Sequence, residues 1–337
     1  MIFVIGASRS GTTMMSKIIG ASGAVKVFNE LHFFEGLCAP HLLNDQSYFA
    51  AIDRSYLAET LLTRLREGLF APRVPGKYRD ECHALLQDCA TCIQLYVKAL
   101  NSESSRSGAK VWCEHTPKYV FSMQAIFDLL PEAKAVMMIR DPRDVLNSHA
   151  GMWKRRWLGN GSISRFEAMR AWMSYHPVSS SALWRAGLQT VAALPPDRVM
   201  LVKYEDLVLS PEATLRTVAQ FLNIPYASEM LEIPDMGSSK RNDAIGNASG
   251  LNSKKAHAWK RDGISQGARQ TCEWLCEMQM KQNGYLSQLE RPPFTWRVLL
   301  SLVSFPIKFF FTAIFNFHRY QSFLRGSVRR FLTLIGN

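Results

Sequence analysis

No aspartate or glutamate follows Glu290 in this chain of 337 residues, whereas seven lysines and arginines do. That end of the chain has no acid of its own to balance its charge. The seven cysteines show no framework spacing, and the closest pair, Cys89 and Cys92 in CATC, has neither a second Cys-x-x-Cys nor a nearby pair of histidines. This argues against a secreted disulfide scaffold or a zinc ribbon and leaves free thiols in a reducing compartment. No charged leader precedes the apolar run at residues 2–5, so a secretory signal is not expected and the cytoplasm is the expected location. Internal repeats and low-complexity tracts are missing too, which excludes solenoids and disordered linkers.

What is present points to a globular chain with an anionic partner. A hydrophobic content of 47% over this length can bury a large core, as one big domain or two ordinary ones. The net charge of +12 suits a nucleotide, a nucleic acid or an acidic membrane surface, and does not choose among them. Apolar runs at residues 2–5, 25–28, 111–113, 135–139 and 199–202 alternate with helical patterns. Short buried strands between helices predict an α/β fold, a parallel sheet covered on both faces. Residues 46–101 read as a long helical stretch, and Ser210 with Pro211 reads as the N-cap and first position of a helix.

The first apolar run leads into GASRSGTTMM at residues 6–15. Strand, glycine loop and helix make an anion site, because unpaired backbone N–H groups and the helix dipole converge there. The spacing nearly fits the GxxxxGK[ST] phosphate loop, but Thr12 stands where the lysine belongs. Arg9 supplies a cation within the loop, and Ser10, Thr12 and Thr13 add hydroxyls. Such a loop suits a compact anion, for example a phosphosulfate, better than a triphosphate with its Mg²⁺.

This loop resembles the 5′-phosphosulfate loop of sulfotransferases that use 3′-phosphoadenosine-5′-phosphosulfate (PAPS), with RSGTT closest to the tyrosylprotein and bacterial branches. The resemblance implies a P-loop-containing, nucleotide-kinase-like parallel sheet flanked by helices, with PAPS as co-substrate held by Arg9, Ser10, Gly11, Thr12 and Thr13, and no metal. MMIRDPRDVLNSHAGMWKRR at residues 137–156 is similar to the family's 3′-phosphate motif, which gives that role to Arg140 and Ser148. The chemistry agrees: a guanidinium grips phosphate bidentately, and Ser148, eight residues on, returns to a similar helix face. Arg140 paired with Asp141 or Asp144 is the structural alternative.

KYEDLVLSPEATLRTVAQFLNIP, from residue 203, resembles a later strand, turn and helix of the family; Glu205 and Asp206, taken as strand-end neighbours, point to opposite sides and read as structural. SKKAHAWKRDG, from residue 253, sits where the family has a segment closing over the co-substrate, which makes Trp259 and Lys260, with Lys255, candidate contacts. CEWLCEMQMKQNGY, from residue 272, resembles the usual last helix. The resemblance thus covers a sulfotransferase domain at residues 1–290 and leaves residues 291–337 as a basic, apolar, helical tail.

Sulfuryl transfer needs a base near the acceptor, and in open α/β sheets ligands sit beyond the carboxyl ends of the strands. Glu30, just past the second apolar run, is placed for this, and the segment VKVFNELHFFEG resembles the one carrying the catalytic glutamate in heparan-type and tyrosylprotein sulfotransferases. Glu30 is the expected general base, Arg9 the cation at the leaving phosphate, and His32 a residue flanking the acceptor. Glu35, Glu114 and His115 compete for the base. EHTPKY, from residue 114, is similar to the EKTPxY of heparan-type members, with His115 in place of the lysine and Lys118 three residues later. Either supplies the positive charge.

The tail divides into a long apolar stretch, residues 298–317, interrupted by Pro306 and Lys308, and a second segment with Tyr320, Leu324, Val328, Phe331 and Ile335 on one helical face. It reads as a basic amphipathic helix on an anionic membrane surface, as helices packed on the domain, or as a span. The first of these suggests a peripheral hold on the inner membrane face and a carbohydrate or lipid-linked glycan as acceptor. A nucleic-acid partner is not expected. The rival readings are a P-loop kinase or NTPase and a non-catalytic basic membrane-binding protein.

Overall fold

The computed structural model describes residues 1–156, 164–232, 251–261 and 263–315. Its centre is a parallel sheet of β1 (Ile2–Gly6), β2 (Val25–Phe28), β3 (Val111–Glu114), β4 (Lys134–Ile139) and β5 (Val199–Lys203), in the order β2-β3-β1-β4-β5. Each apolar run of the sequence forms one strand. Along β1 the side chains alternate between the two faces, Phe3 and Ile5 into one core and Ile2 and Val4 into the other, and all four are buried. A sheet buried on both faces needs apolar residues at every position, which is why these strands read as continuous hydrophobic runs.

The chain leaves β1 through α1 (Thr12–Gly20) and reaches β2. The link from β2 to β3 carries α2 (Phe33–Gly36), α3 (Gln46–Ala51), α4 (Arg54–Glu67), α5 (Arg79–Leu86) and α6 (Cys92–Arg106), so the helical stretch expected at residues 46–101 is broken into four helices. The breaks have local causes: Asp45, Asp53 and Thr91 each accept a backbone N–H three residues on and start a new helix. α7 (Met123–Leu129) leads to β4, followed by α8 (Pro142–Ala150), α9 (Arg165–Ser174) and α10 (Pro177–Ala192). After β5 come α11 (Tyr204–Leu209), α12 (Pro211–Leu222), α13 (Gln266–Gln282) and α14 (Trp296–Phe315).

α1, α11 and α12 cover one face of the sheet, while α4, α6, α7 and α10 cover the other. Ser210 precedes α12 as expected but makes no side-chain capping bond. It also closes α11, its N–H donating to Asp206 O at 2.8 Å, so its backbone is set by the helix before it. For the same reason Glu205 lies in the first turn of α11 and not at a strand end.

Strand order and chain order part at β1. The chain departs to β2 on one side, returns to β3, and then crosses β1 to reach β4 on the other side. Loops that diverge in this way leave a crevice at the carboxyl ends of the strands. The loop after β1 enters that crevice under a tight constraint: Gly6 has φ 145°, and a Cβ there would meet Met138 O at 2.4 Å. Gly6→Ala is accordingly expected to lower the unfolding free energy by about 3 kcal/mol, from backbone strain and a clash with immovable backbone. Urea denaturation measures this, and a loss under about 1 kcal/mol contradicts the geometry.

Candidate active site

The loop between β1 and α1 folds as a tight turn. Ser10 N–H donates to Ala7 O at 3.1 Å, Arg9 is left-handed at φ 75°, and Gly11 at φ 97° begins the helix without a side-chain cap. The first N–H groups of α1 have no carbonyl of their own helix to pair with and point into the crevice. Thr12 is buried and Thr13 exposed. Ser10 is fully buried, yet its Oγ has no hydrogen-bond partner among the described residues.

β4 and α8 deliver the second half of the site. Arg9 Nε donates to Ser148 Oγ at 2.9 Å, and Arg140 Nη1 donates to Arg9 O at 3.3 Å. The sequence-predicted Arg9, Ser10, Arg140 and Ser148 therefore share one locale. Arg140 is also stacked over the Tyr204 ring at 4.3 Å, donates to Lys255 O at 2.7 Å, and lies 3.9 Å from Asp144. Its Nε is buried without a partner among the described residues. Two buried donors, Ser10 Oγ and Arg140 Nε, are thus left unmatched beside unpaired helix N–H groups and a cationic pair. Buried polar groups are normally satisfied, so the donor set fits a bound polyanion. The expected alternative, an ion pair of Arg140 with Asp144, coexists with this arrangement.

A buried network with no obvious trace in the sequence holds α8 in place. Asp141 caps α8, receives Arg143 Nε and Nη2, and accepts Trp259 Nε1 at 3.0 Å; Asp144 accepts Trp259 N–H at 2.7 Å. Arg143 covers the Trp259 ring at 3.9 Å and reaches Glu273 on α13. Glu205 accepts Asp141 N–H and Tyr285 O–H, both at 3.0 Å, which gives it the structural part expected of it, while Asp206 is exposed. Trp259 therefore spends its backbone and indole donors on fastening residues 253–260 to α8, and Lys260 is exposed beside its ring at 5.7 Å. Burial raises the Asp144 carboxyl to about 6, with Arg140 pulling it back down.

Glu30 lies just past β2, on a loop gripped from several sides. Leu31 N–H donates to Glu114 Oε1 at 3.0 Å and Thr116 Oγ1 at 3.2 Å, Phe33 N–H donates to Tyr119 Oη at 2.8 Å, and Arg64 of α4 donates to the carbonyls of Leu31 and His32. Phe33 and Phe34 anchor the loop in an aromatic cluster with Tyr96 and Tyr119. His32 Nε2 is 3.1 Å from Glu30 Oε2, and its Nδ1 is 2.7 Å from Glu35 Oε2. Burial alone raises the Glu30 pKa, but the His32 hydrogen bond and the charges of His32, His115 and Lys118 outweigh it and hold Glu30 below the usual carboxylate range. Among the competing acids, Glu114 is fully buried and pushed up to about 8 by that burial, so it is a protonated structural link and not an ionised base.

His115 is buried, its Nδ1 donating to Phe28 O at 2.9 Å, and burial lowers its pKa. Of His115 and Lys118, the exposed Lys118 is therefore the better placed to add positive charge near Glu30. Cys89 and Cys92 are buried free thiols; Cys92 opens α6 and Cys89 precedes it. Among the described residues no group of three or more His, Cys, Asp or Glu is arranged to hold a metal ion. Sequence reasoning did not find Arg64 or the Tyr204 platform, since neither is marked by a motif.

A family model described as the Sulfotransferase family matches residues 2–228. Protein-tyrosine sulfotransferase of Drosophila melanogaster is 25% identical over 232 residues, which are 68% of this chain and 39% of that protein. Carbohydrate sulfotransferase 3 of Tetronarce californica is 25% identical over 177 residues, 49% of this chain and 38% of that protein. The chain therefore spans well under two thirds of either relative's length. In fold it is similar to the sulfotransferase domain from the Synechococcus PCC 7002 olefin synthase, at TM-score 0.51 over 82% of this chain and 93% of that one, with 15% identity.

The Glu114 carboxyl carries a testable sign. Its folded pKa of about 8 lies above the usual 4.5, so the folded state holds the extra proton and stability falls as pH rises from about 5 to about 8. Glu114→Gln removes that titration. The stability of the wild type relative to Glu114→Gln should drop by about 1.4 kcal/mol per pH unit across the window, measured by urea unfolding. A pH-independent difference contradicts a neutral Glu114.

Proposed function

The chain belongs to the sulfotransferase family, and from that premise we propose that it transfers a sulfuryl group from PAPS to a hydroxyl or amine acceptor. The observation that carries this reading is the convergence of Arg9, Arg140 and Ser148 beside two buried donors unmatched among the described residues, with Glu30 past the end of β2, on the far side of β3 from β1. PAPS, when bound, supplies the activated sulfuryl group. Arg9 and the α1 N–H groups bind the 5′-phosphosulfate and stabilise charge developing on the leaving phosphate, with Ser10, Gly11, Thr12 and Thr13 shaping its cradle. Arg140 and Ser148 bind the 3′-phosphate, which separates PAPS from ATP. Trp259 orients the segment that meets Arg140 through Lys255 O, and Lys260 adds charge at its edge. Glu30 receives the acceptor proton on its carboxylate as the nucleophile attacks.

Calorimetry with PAP in the absence of Mg²⁺ separates this reading from a kinase, which binds Mg·ATP instead, and from a binding module, which takes neither. Arg140→Ala is expected to weaken PAP binding about 10- to 100-fold, the value of lost charge-assisted hydrogen bonds. Glu30→Gln is expected to bind PAP normally while abolishing transfer of label from radioactive PAPS into a cell extract. Full transfer by Glu30→Gln refutes the base assignment.

For the acceptor, our reading is a carbohydrate or lipid-linked glycan met at an anionic membrane surface, residues 1–290 being the transferring unit and residues 291–337 its peripheral anchor. α14 supports this. It is a 20-residue helix with a mean hydropathy of 2.0 in a window only 11% buried, and it is long and apolar enough to cross a membrane by length and composition. One side packs on α9, α10 and α13, where Thr312 Oγ1 donates to Met173 O at 2.8 Å and Lys308 sits over the Trp172 ring at 4.7 Å. The other side presents Leu300, Val303, Ile307 and Phe310, each more than half exposed. A helix with one flank fastened to its domain lies along a bilayer more readily than through it. The amphipathic segment at residues 318–335 lies outside the described residues. Replacing Leu300, Val303, Ile307 and Phe310 together with Gln should abolish cosedimentation with anionic vesicles and leave PAP binding intact; unchanged cosedimentation counts against the anchor.

A further inference from the structure

We propose that Glu35 is a positioning residue for the base: through His32 it fixes the orientation and charge of the Glu30 carboxylate, so that Glu30, His32 and Glu35 act as one unit. The inference rests on the assignment of Glu30 as base and names two residues through which that base is controlled. Its foundation is geometric. The His32 ring is bonded at both nitrogens, Nδ1 to Glu35 Oε2 at 2.7 Å and Nε2 to Glu30 Oε2 at 3.1 Å. A ring that donates from both nitrogens is an imidazolium, and its plane is fixed by the two carboxylates it joins.

The two carboxylates are not equivalent. The Glu30 side chain is 38% exposed and open to an acceptor, whereas that of Glu35 is 19% exposed. The inner acid therefore orients and the outer one meets the nucleophile. With Oε2 of Glu30 held by His32, Oε1 is left to take the acceptor proton: the acceptor O–H bond breaks and a Glu30 O–H bond forms, the freed oxygen pair makes the new bond to sulfur, and the bond from sulfur to the bridging phosphate oxygen breaks, its electron pair leaving on the phosphate of PAP. His32 keeps both its protons throughout.

The backbone supports a functional reading of this unit. His32 is left-handed at φ 48°, a conformation that a histidine adopts at a cost and that persists when its surroundings over-determine it. They do so here: its N–H reaches Thr116 Oγ1 at 3.4 Å and its carbonyl accepts from Arg64 Nη1 at 3.2 Å. The charged and titratable groups facing the unit are Arg64 from α4, Glu114 and His115 from the end of β3, and Lys118 and Tyr119 from the turn after it. Burial disfavours the His32 cation, but the bonds to Glu30 and Glu35 outweigh it and lift His32 to about 9, so the unit is charged at neutral pH. A bound polyanion nearby raises the proton affinity of Glu30, and the fixed imidazolium opposes that rise.

Histidine-labelled protein followed by NMR across pH 6–11 reads the pairing without any ligand. Glu35→Gln should lower the His32 pKa by at least about one unit, a tenfold change in proton affinity; an unmoved pKa overturns the proposal. Transfer of label from radioactive PAPS into cell extract then reads the consequence. For Glu35→Gln the alkaline limb of the rate should move down by the same interval, Glu35→Asp should restore it in part, and PAP binding and the melting temperature should stay near wild type. A uniform loss of rate with an unmoved limb marks a merely structural Glu35 and overturns the proposal while leaving Glu30 as base. Normal transfer by Glu30→Gln instead removes the base itself, and the proposal falls with it.

Discussion

The guanidinium of Arg140 holds three separate parts of the chain against one another. It donates to the carbonyl of Arg9 in the first loop, to the carbonyl of Lys255 in a segment more than a hundred residues away, and lies over the Tyr204 ring at the start of α11. A buried cation is costly unless its donors are matched, and carbonyl oxygens, an aromatic face and Asp144 match most of them. Its remaining Nε stays unmatched among the described residues. The same group that stabilises the local fold is therefore incompletely satisfied by it, and a phosphate is the kind of partner that completes the set.

From that centre two rigid frames extend. One is the Asp141, Arg143, Trp259, Glu205, Glu273 and Tyr285 network, which ties α8 to α13 and to residues 258–260 and so keeps Ser148 in reach of Arg9. The other grips residues 31–33 through Glu114, Thr116, Tyr119 and Arg64, and so keeps Glu30 at the rim. Transfer between two bound partners depends on mutual placement more than on the strength of any single contact. Both frames use buried polar bonds, which lose much when displaced and so tolerate little drift.

The cores on either side of the sheet have a simpler part. Ile2, Val4, Met15 and Ile18 on one face, with Phe3, Ile5, Trp112 and Tyr119 on the other, set where β1 ends and hence where the loop begins. Phe33 and Phe34 join the second core, so the segment carrying Glu30 is anchored by packing as well as by hydrogen bonds. α14 contributes little to either core, since along its 20 residues only Val298 and Thr312 are buried.

The strands and the glycine loop were legible from the sequence because each depends on local spacing, as does the nearness of Arg140 and Ser148 to that loop. Short continuous apolar runs between helical patterns fit strands buried on both faces, Gly6 and Gly11 hold backbone conformations that favour glycine, and an arginine ahead of a helix reaches the same locale as a serine two turns along it. What joins these pieces was decided by the tertiary structure alone. Arg64 and Tyr204 carry no mark of chemistry in the sequence, and Trp259 reads there only as a candidate contact and not as a fastener of α8; they matter because folding brings them to Leu31, Arg140 and Asp141 from 33, 64 and 118 residues away. The partnership of His32 with both Glu30 and Glu35 was likewise hidden: residues two and three apart meet through one ring only where a left-handed backbone at His32 turns them inward, and long-range bonds from Thr116 and Arg64 hold that turn.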